Sequence, residues 1–248
     1  MLRRVISATF VLALGTMLDA CGHQVTPNVP GGESDLAGDI VVKFQTAGTL
    51  DFTGVTYVIA IDMCGTGVPY PNALATGYTS YTFAIFAGGG FGSTAEPLLY
   101  QYFLIPGSSG LTKVQVNTLT PSTASFVTPY QGNSNEFEFI FPRRDLNNPY
   151  NAPLPCPNSS ATAGSDTTGV NAPPYLTAWT FNLLTFNPTT GTPLDSLGPG
   201  GPSDNQFSGI VVNTASTNFY TVNSAYTGPS LQNPGAQITY GEVDTYAL

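Results

Sequence analysis

The chain has 248 residues, of which only 8% are charged, while 42% are hydrophobic and 12% are aromatic. This composition excludes a disordered chain kept open by its charge and allows a buried core. The 15 acidic residues outnumber the 6 basic ones, giving a formal net charge of −9. Because binding to nucleic acid requires clustered lysine and arginine, we expect no nucleic-acid partner.

The first residues of the chain have the pattern of an export signal. Arg3 and Arg4 precede an uncharged, mostly apolar run over residues 5–18. A membrane-spanning helix needs ~20 apolar residues, so this run is too short to be a permanent anchor. We therefore predict that residues 1–20 are a signal peptide, which is removed on export.

The predicted signal ends in the sequence Leu18-Asp19-Ala20-Cys21. These residues resemble the lipobox of bacterial lipoproteins, which has leucine three positions before the cysteine and a small residue just before it. Asp19 departs from the pattern, since that position usually holds a small neutral residue. The resemblance implies lipid on Cys21; the alternative is an ordinary secretory signal that leaves a free thiol. By the same resemblance, Gly22 after the cysteine implies transfer to an outer membrane or cell surface.

A segment without hydrophobic periodicity follows the cysteine. Residues 22–38 run GHQVTPNVPGGESDLAG and are rich in proline, glycine and polar residues. We predict that residues 21–38 are a flexible tether holding a folded domain, residues 39–248, at a membrane. Removal of the signal leaves four basic and fourteen acidic residues, because two arginines and one aspartate go with it. Acyl chains, and not attraction to anionic lipid, would then provide the attachment.

The predicted domain repeatedly alternates apolar and polar residues. In GDIVVKFQT, for example, Ile40, Val42 and Phe44 fall on one face and Lys43 on the other. Such alternation, with turn residues between the runs, predicts a single antiparallel β-sandwich, jelly-roll-like, of about ten strands. The predicted strands are residues 38–46, 55–62, 78–87, 98–105, 112–118, 136–141, 178–187, 207–212, 217–222 and 238–245.

Two long segments rich in proline and glycine, residues 147–177 and 188–206, interrupt the strand pattern. We predict that both are loops. The second contains Asp195, Asp204 and Asn205, whose oxygens are of the type that calcium prefers. Their spacing fits no calcium-binding repeat, so we predict no metal site, with structural calcium as the alternative.

Lipid on Cys21 leaves two cysteines, Cys64 and Cys156. In an oxidising envelope compartment each has only the other as a partner, so we predict a disulfide between them. The alternative is a pair of buried thiols.

Histidine-dependent chemistry is excluded from the domain, because the single histidine, His23, lies in the tether. This removes Ser-His-Asp and Cys-His catalysis and histidine-based metal sites. Glu136 and Glu138 share one face of a predicted strand and are the carboxylate pair that a glycosidase could use. A charged face turned to solvent is the simpler interpretation. We therefore predict a protein that is not an enzyme and has no cofactor.

Residues 38 to about 146, with the runs VTYVIAID and NEFEFIFPRRDL, resemble DOMON-like or family-9-type carbohydrate-binding domains. The resemblance implies a β-sandwich that binds sugars or haem without turnover. Haem ligation in those domains relies on methionine and histidine, and the domain has only Met63 and no histidine, so we expect no haem. Their sugar sites use exposed tryptophans, whereas Trp179, the single tryptophan, lies in a strand where we expect burial.

Four tyrosines, Tyr70, Tyr130, Tyr150 and Tyr175, lie in connections that contain proline or asparagine. We predict that they form a ligand-binding surface, because tyrosine offers a large contact area and a hydroxyl at a small entropic cost. The alternative is that they cap the ends of the sandwich. Together these observations predict a lipid-anchored, non-catalytic envelope or surface protein that binds a glycan or an envelope protein. A carboxylate-dependent glycan-active enzyme and a purely structural coat lipoprotein are the alternatives.

Overall fold

A computed structural model describes ten ranges of the chain, and all of them lie within one compact unit, Leu36–Leu248. The ranges are residues 37–69, 80–89, 92–93, 96–104, 111–118, 125–127, 134–146, 177–198, 208–224 and 232–247. The predicted site residues that lie outside the described residues are Cys21, Tyr70, Tyr130, Tyr150, Cys156 and Tyr175.

The described ranges contain thirteen strands and two short 3₁₀ turns, Arg143–Leu146 and Pro234–Ala236. Within these ranges no helix is both long and apolar enough to cross a membrane. The strands are β1 (Asp39–Thr46), β2 (Thr56–Asp62), β3 (Phe83–Ala87), β4 (Gly92–Ser93), β5 (Glu96–Leu104), β6 (Leu111–Thr118), β7 (Ser125–Val127), β8 (Glu136–Pro142), β9 (Ala178–Phe186), β10 (Pro193–Ser196), β11 (Ile210–Asn213), β12 (Asn218–Asn223) and β13 (Ile238–Thr245).

The strands form two sheets in which every pair is antiparallel. The five-stranded sheet has the order β12-β13-β1-β8-β7. The eight-stranded sheet has the order β10-β9-β2-β3-β5-β4, with β11 also beside β9 and β6 also beside β5. The prediction of an all-β antiparallel sandwich is therefore confirmed.

The main core lies between the two sheets and follows the predicted alternation. Ile40 and Val42 of β1 and Ile59 of β2 are buried in one hydrophobic cluster. Within it the ring of Phe44 stacks on Phe137, with ring centroids 4.9 Å apart. Burial of each such side chain contributes roughly 1.5–3 kcal/mol, so contact between the alternating apolar faces is the main force that joins the sheets.

The larger sheet is also buried on its outer face. Every residue of β2 is buried. Val58 and Ala60 point away from the main core into a second hydrophobic cluster that includes Phe86, Leu184 and Phe186. The sequence of β2 is apolar at nearly every position, as is typical of a strand covered on both faces.

Three details differ from the predicted strands. Strand β3 begins at Phe83 and not at residue 78, and the short strands β4 and β7 were not predicted. Strand β10 lies inside the segment that was predicted to be a loop over residues 188–206. Its sequence, PLDS, shows no alternation that would predict a strand. Pairing with β9 and the hydrogen bond that the Asp195 carboxylate accepts from Ile238 hold it in place.

Candidate functional site

The outer face of the five-stranded sheet carries a cluster of charged and polar side chains, arranged in rows across three strands. Lys43 of β1 lies opposite Glu242 of β13 on one side and Glu138 of β8 on the other. In the next row, Gln45 lies between Tyr240 and Glu136. Asp244 follows Glu242 on the same face, two positions further along β13. We call these seven residues the polar face.

Lys43 lies at the centre of the polar face and is its only basic residue. Its ammonium group forms an ion pair with Glu242 and lies 3.5 Å from Asp244 Oδ2. Burial by itself lowers the pKa of Lys43, but the hydrogen bond and the charges of these two carboxylates outweigh burial and raise the pKa. Lys43 therefore stays charged over the whole physiological pH range.

The two carboxylates next to Lys43 differ in their protonation. Burial alone raises the pKa of Glu242, but hydrogen bonds from Lys43 and from the Tyr240 hydroxyl reverse this and lower it. Asp244 is only 1% exposed, and its Oδ1 accepts no hydrogen bond from any described residue. Burial and the charge of Glu242 raise the pKa of Asp244 far above that of a free aspartate. Glu242 is the ionised member of the pair and Asp244 the readily protonated one.

Glu138 and Glu136 are less exposed than the sequence predicts. The predicted solvent-facing position is wrong for Glu138, which is only 8% exposed, while Glu136 is half-buried. Glu136 accepts a hydrogen bond of 3.2 Å from Gln45 Nε2. Glu138 has no hydrogen-bond partner among the described residues, and its stabilisation comes from the charge of Lys43. Burial raises the pKa of both glutamates, although Lys43 opposes the shift.

The polar face can accept hydrogen bonds from a ligand. The half-buried carboxylate of Glu136 accepts from the Gln45 amide, and no described residue donates a hydrogen bond to the carboxylate of Glu138. A buried polar group without a partner costs about 1–3 kcal/mol, which a bound donor would recover. Regular strands hold these groups, so their positions are fixed before a ligand binds. No group of three or more acidic, histidine or cysteine side chains in the described ranges has the geometry of a metal site.

Asp195, which we considered as a calcium ligand, has a structural role. It is fully buried, and its carboxylate accepts hydrogen bonds from the backbone N–H groups of Ser196 (2.8 Å) and Ile238 (2.7 Å). Burial raises the pKa of Asp195 to about 7 despite these donors. The other two predicted oxygen ligands, Asp204 and Asn205, lie outside the described residues.

Cys64 lies in a turn that follows β2 and is organised by Asp62. The carboxylate of Asp62 accepts the backbone N–H groups of Cys64 (2.8 Å) and Gly67 (2.9 Å). The sulfur of Cys64 is 3.5 Å from the hydroxyl of Thr82. Because Cys156 lies outside the described residues, the Cys64–Cys156 disulfide stays a prediction.

The aromatic residues singled out in the sequence have different positions. Trp179 is buried in the main core, as predicted, and Met63 is buried with it. Neither side chain lines an open surface. The four loop tyrosines that we predicted as ligand contacts lie outside the described residues. Among the described tyrosines, Tyr57, Tyr81 and Tyr102 are fully buried, whereas Tyr240 belongs to the polar face.

The sequence analysis missed most of the polar face. The residues Tyr240, Glu242 and Asp244 alternate with Thr239, Gly241 and Val243, which is a detectable strand signal. Their meeting with Lys43 depends on pairing between strands almost 200 positions apart, and one sequence does not reveal that pairing. Compared with known proteins, the chain matches no family model, no curated protein and no solved structure.

Proposed function

We propose that this protein is a lipid-anchored envelope or surface protein whose β-sandwich binds a polyhydroxylated ligand, a glycan, without catalysing its turnover. The observation that carries the proposal is the polar face with its acceptor carboxylates, Glu136 and Glu138. Glycan hydroxyls are hydrogen-bond donors that could satisfy them. Tyr240 and Gln45, beside these acceptors, add groups that can both donate and accept.

The export signal and lipobox-like sequence support the proposed location. A cysteine at the end of the signal, followed by a polar tether, is the arrangement expected of a lipid-anchored domain. Changing Cys21→Ser should release the protein from membranes into the soluble fraction. Retention of this variant in the detergent-extractable membrane fraction would show that the attachment lies elsewhere.

Glycan binding is tested by probing a glycan array with the purified full chain in detergent. A variant with Glu138→Gln keeps the shape of the side chain but replaces an acceptor with a donor, so binding to any array hit should weaken at least about tenfold. The matched control is Asp51→Asn, at a half-buried turn away from the polar face. Equal binding by both variants, or no hit on the array, would contradict the proposal.

The loop tyrosines remain part of the proposed ligand surface. Replacing Tyr70, Tyr130, Tyr150 and Tyr175 with alanine should abolish binding to an array hit while changing the thermal stability little. A large loss of stability would instead identify them as packing residues.

A glycan-active enzyme is the second candidate, favoured by the opposite pKa shifts of Glu242 and Asp244. Such a separation is how paired carboxylates divide the roles of acid and base. Against it, Asp244 is 1% exposed and therefore out of reach of a glycosidic oxygen. Release of reducing sugar from an array hit by the full chain, and its loss in Glu242→Gln, would establish the enzyme.

A further inference from the structure

Among the described strands, β12 (Asn218–Asn223) forms one edge of the five-stranded sheet and pairs in it only with β13. Its sequence, NFYTVN, contains no charge, proline or glycine. Phe219 is 63% exposed, and Thr221 and Asn223 are exposed as well. Proteins usually protect such an edge with charges, proline or a bulge, because its backbone can pair with another strand.

The hydrogen-bond pattern identifies the backbone groups at this edge. The N–H of Ser224 donates to the carbonyl of Thr239 on β13, at 2.9 Å. In an antiparallel pair, successive residues point alternately to the neighbour and away from it. The backbone groups of Phe219, Thr221 and Asn223 therefore point away from β13, towards the open edge.

The strand is complementary to itself. If a second β12 pairs with it antiparallel about Thr221, each threonine lies opposite its own copy and Phe219 lies opposite Asn223 of the copy. The three outward-pointing residues of each strand then exchange backbone hydrogen bonds. On the inner face, Tyr220 lies opposite Val222 of the copy, an aromatic and β-branched pair of the kind that stabilises sheets.

The inner residues of β12 also favour pairing with a second copy of the strand. Tyr220 and Val222 are only half-buried and pack against the main core where it reaches the sheet edge. A second copy would cover both side chains with the same two residues. The pairing thus extends the main core as well as the sheet.

Charge does not oppose this pairing, despite the acidic composition. Residues 208–224 contain no charged side chain. The nearest acid to Thr221 on the next strand is Glu242, which would lie three strand spacings from its copy, or roughly 14 Å. This exceeds the Debye length of about 8 Å at physiological salt, so the repulsion is screened.

We propose that the protein forms a two-fold symmetric dimer in which the β12 strands of two copies pair antiparallel, centred on Thr221. The two five-stranded sheets then become one continuous sheet. The polar faces of both copies lie on the same side of it, so the dimer presents two adjacent copies of that surface.

The first test is cross-linking by a cysteine introduced at the centre of the pairing. Facing residues in a hydrogen-bonded antiparallel pair have Cα atoms about 5.5 Å apart, which a disulfide can span. The purified full chain with Thr221→Cys should form a reducible dimer on non-reducing gels. The control, Thr53→Cys, is exposed in a turn away from β12 and should give only the level of the unmodified chain. Equal cross-linking of the two variants would overturn the proposal.

The second test needs no added thiol. Thr221→Lys places a cation opposite its own copy in the dimer, but beside Glu242 within each chain, so it blocks pairing while the fold is retained. In sedimentation velocity over a range of concentrations, the unmodified chain should dimerise, and Thr221→Lys should raise the dissociation constant at least roughly tenfold. Thr53→Lys should not. A monomer at every concentration, or a dimer unaffected by Thr221→Lys, would refute the proposal.

Discussion

Asp195 Oδ2 on β10 accepts a 2.7 Å hydrogen bond from the backbone N–H of Ile238 at the start of β13, and this contact joins the two sheets. Two more buried contacts reach the same region. The hydroxyl of Tyr57 donates to the carbonyl of Gly235, at 2.7 Å, and that of Thr185 donates to the carbonyl of Ala236, also at 2.7 Å. The short turn before β13 is thus fixed to the larger sheet by polar side chains inside the core.

Removing the side chain with Asp195→Ala should destabilise the domain by about 2–4 kcal/mol, because it leaves the N–H of Ile238 buried without an acceptor and creates a cavity. The free energy of unfolding, measured by urea titration at pH 5, checks this. Thr53→Ala, at an exposed turn, should change it by no more than about 0.5 kcal/mol. An equally small effect of Asp195→Ala would show that the contact with Ile238 does not contribute to the stability of the domain.

Asp195 also predicts how stability depends on pH. Its pKa is raised to about 7 in the folded protein, from about 3.9 in an unfolded chain. Between these values the folded state holds a proton that the unfolded state releases, so the free energy of unfolding should fall as the pH rises from about 4 to 7. Asp244, with its pKa shifted in the same direction, adds to this slope.

Urea titrations at several pH values test the slope, and Asp195→Asn should flatten it because the amide does not titrate. Stability that instead rises from pH 4 to 7 would contradict the predicted direction.

Lys43→Met should destabilise the domain by about 1–3 kcal/mol at pH 8, since it leaves the carboxylates of Glu242 and Asp244 without their cation. At pH 5 the loss should be smaller, because Asp244 is then protonated and needs no counter-charge. Thermal or urea denaturation at the two pH values measures the difference. Lys43→Arg keeps the charge and should therefore lose less stability than Lys43→Met at pH 8. Equal losses of stability in the two variants would attribute the effect to packing.

The predicted disulfide between Cys64 and Cys156 closes a loop of 92 residues. Such a loop should stabilise the fold by roughly 4–5 kcal/mol through the entropy of the unfolded chain. Thiol counting on the unfolded, non-reduced protein should find neither cysteine free. Cys64→Ser, Cys156→Ser and the double variant should all be destabilised to the same extent, because each removes the same bond. Additive losses, or two free thiols, would exclude the disulfide.

The sequence alone determined the fold class and the inner faces of the main strands. Ile40, Val42 and Phe44 recur at every second position and therefore fall on one face of β1, opposite Lys43 and Gln45. The same local pattern predicted the burial of Trp179. These features depend on neighbouring positions in the chain, so a single sequence contains enough information to find them.

The tertiary structure alone decided which polar residues meet. Lys43 comes between Glu138 and Glu242 because β1 pairs with both β8 and β13, and nothing in the local sequence specifies these partners. It also decided that Glu138 is buried and that Asp195 lies in a strand and not in a loop. Burial and pairing are properties of the assembled sheets, since a side chain loses water only when distant strands come to cover it.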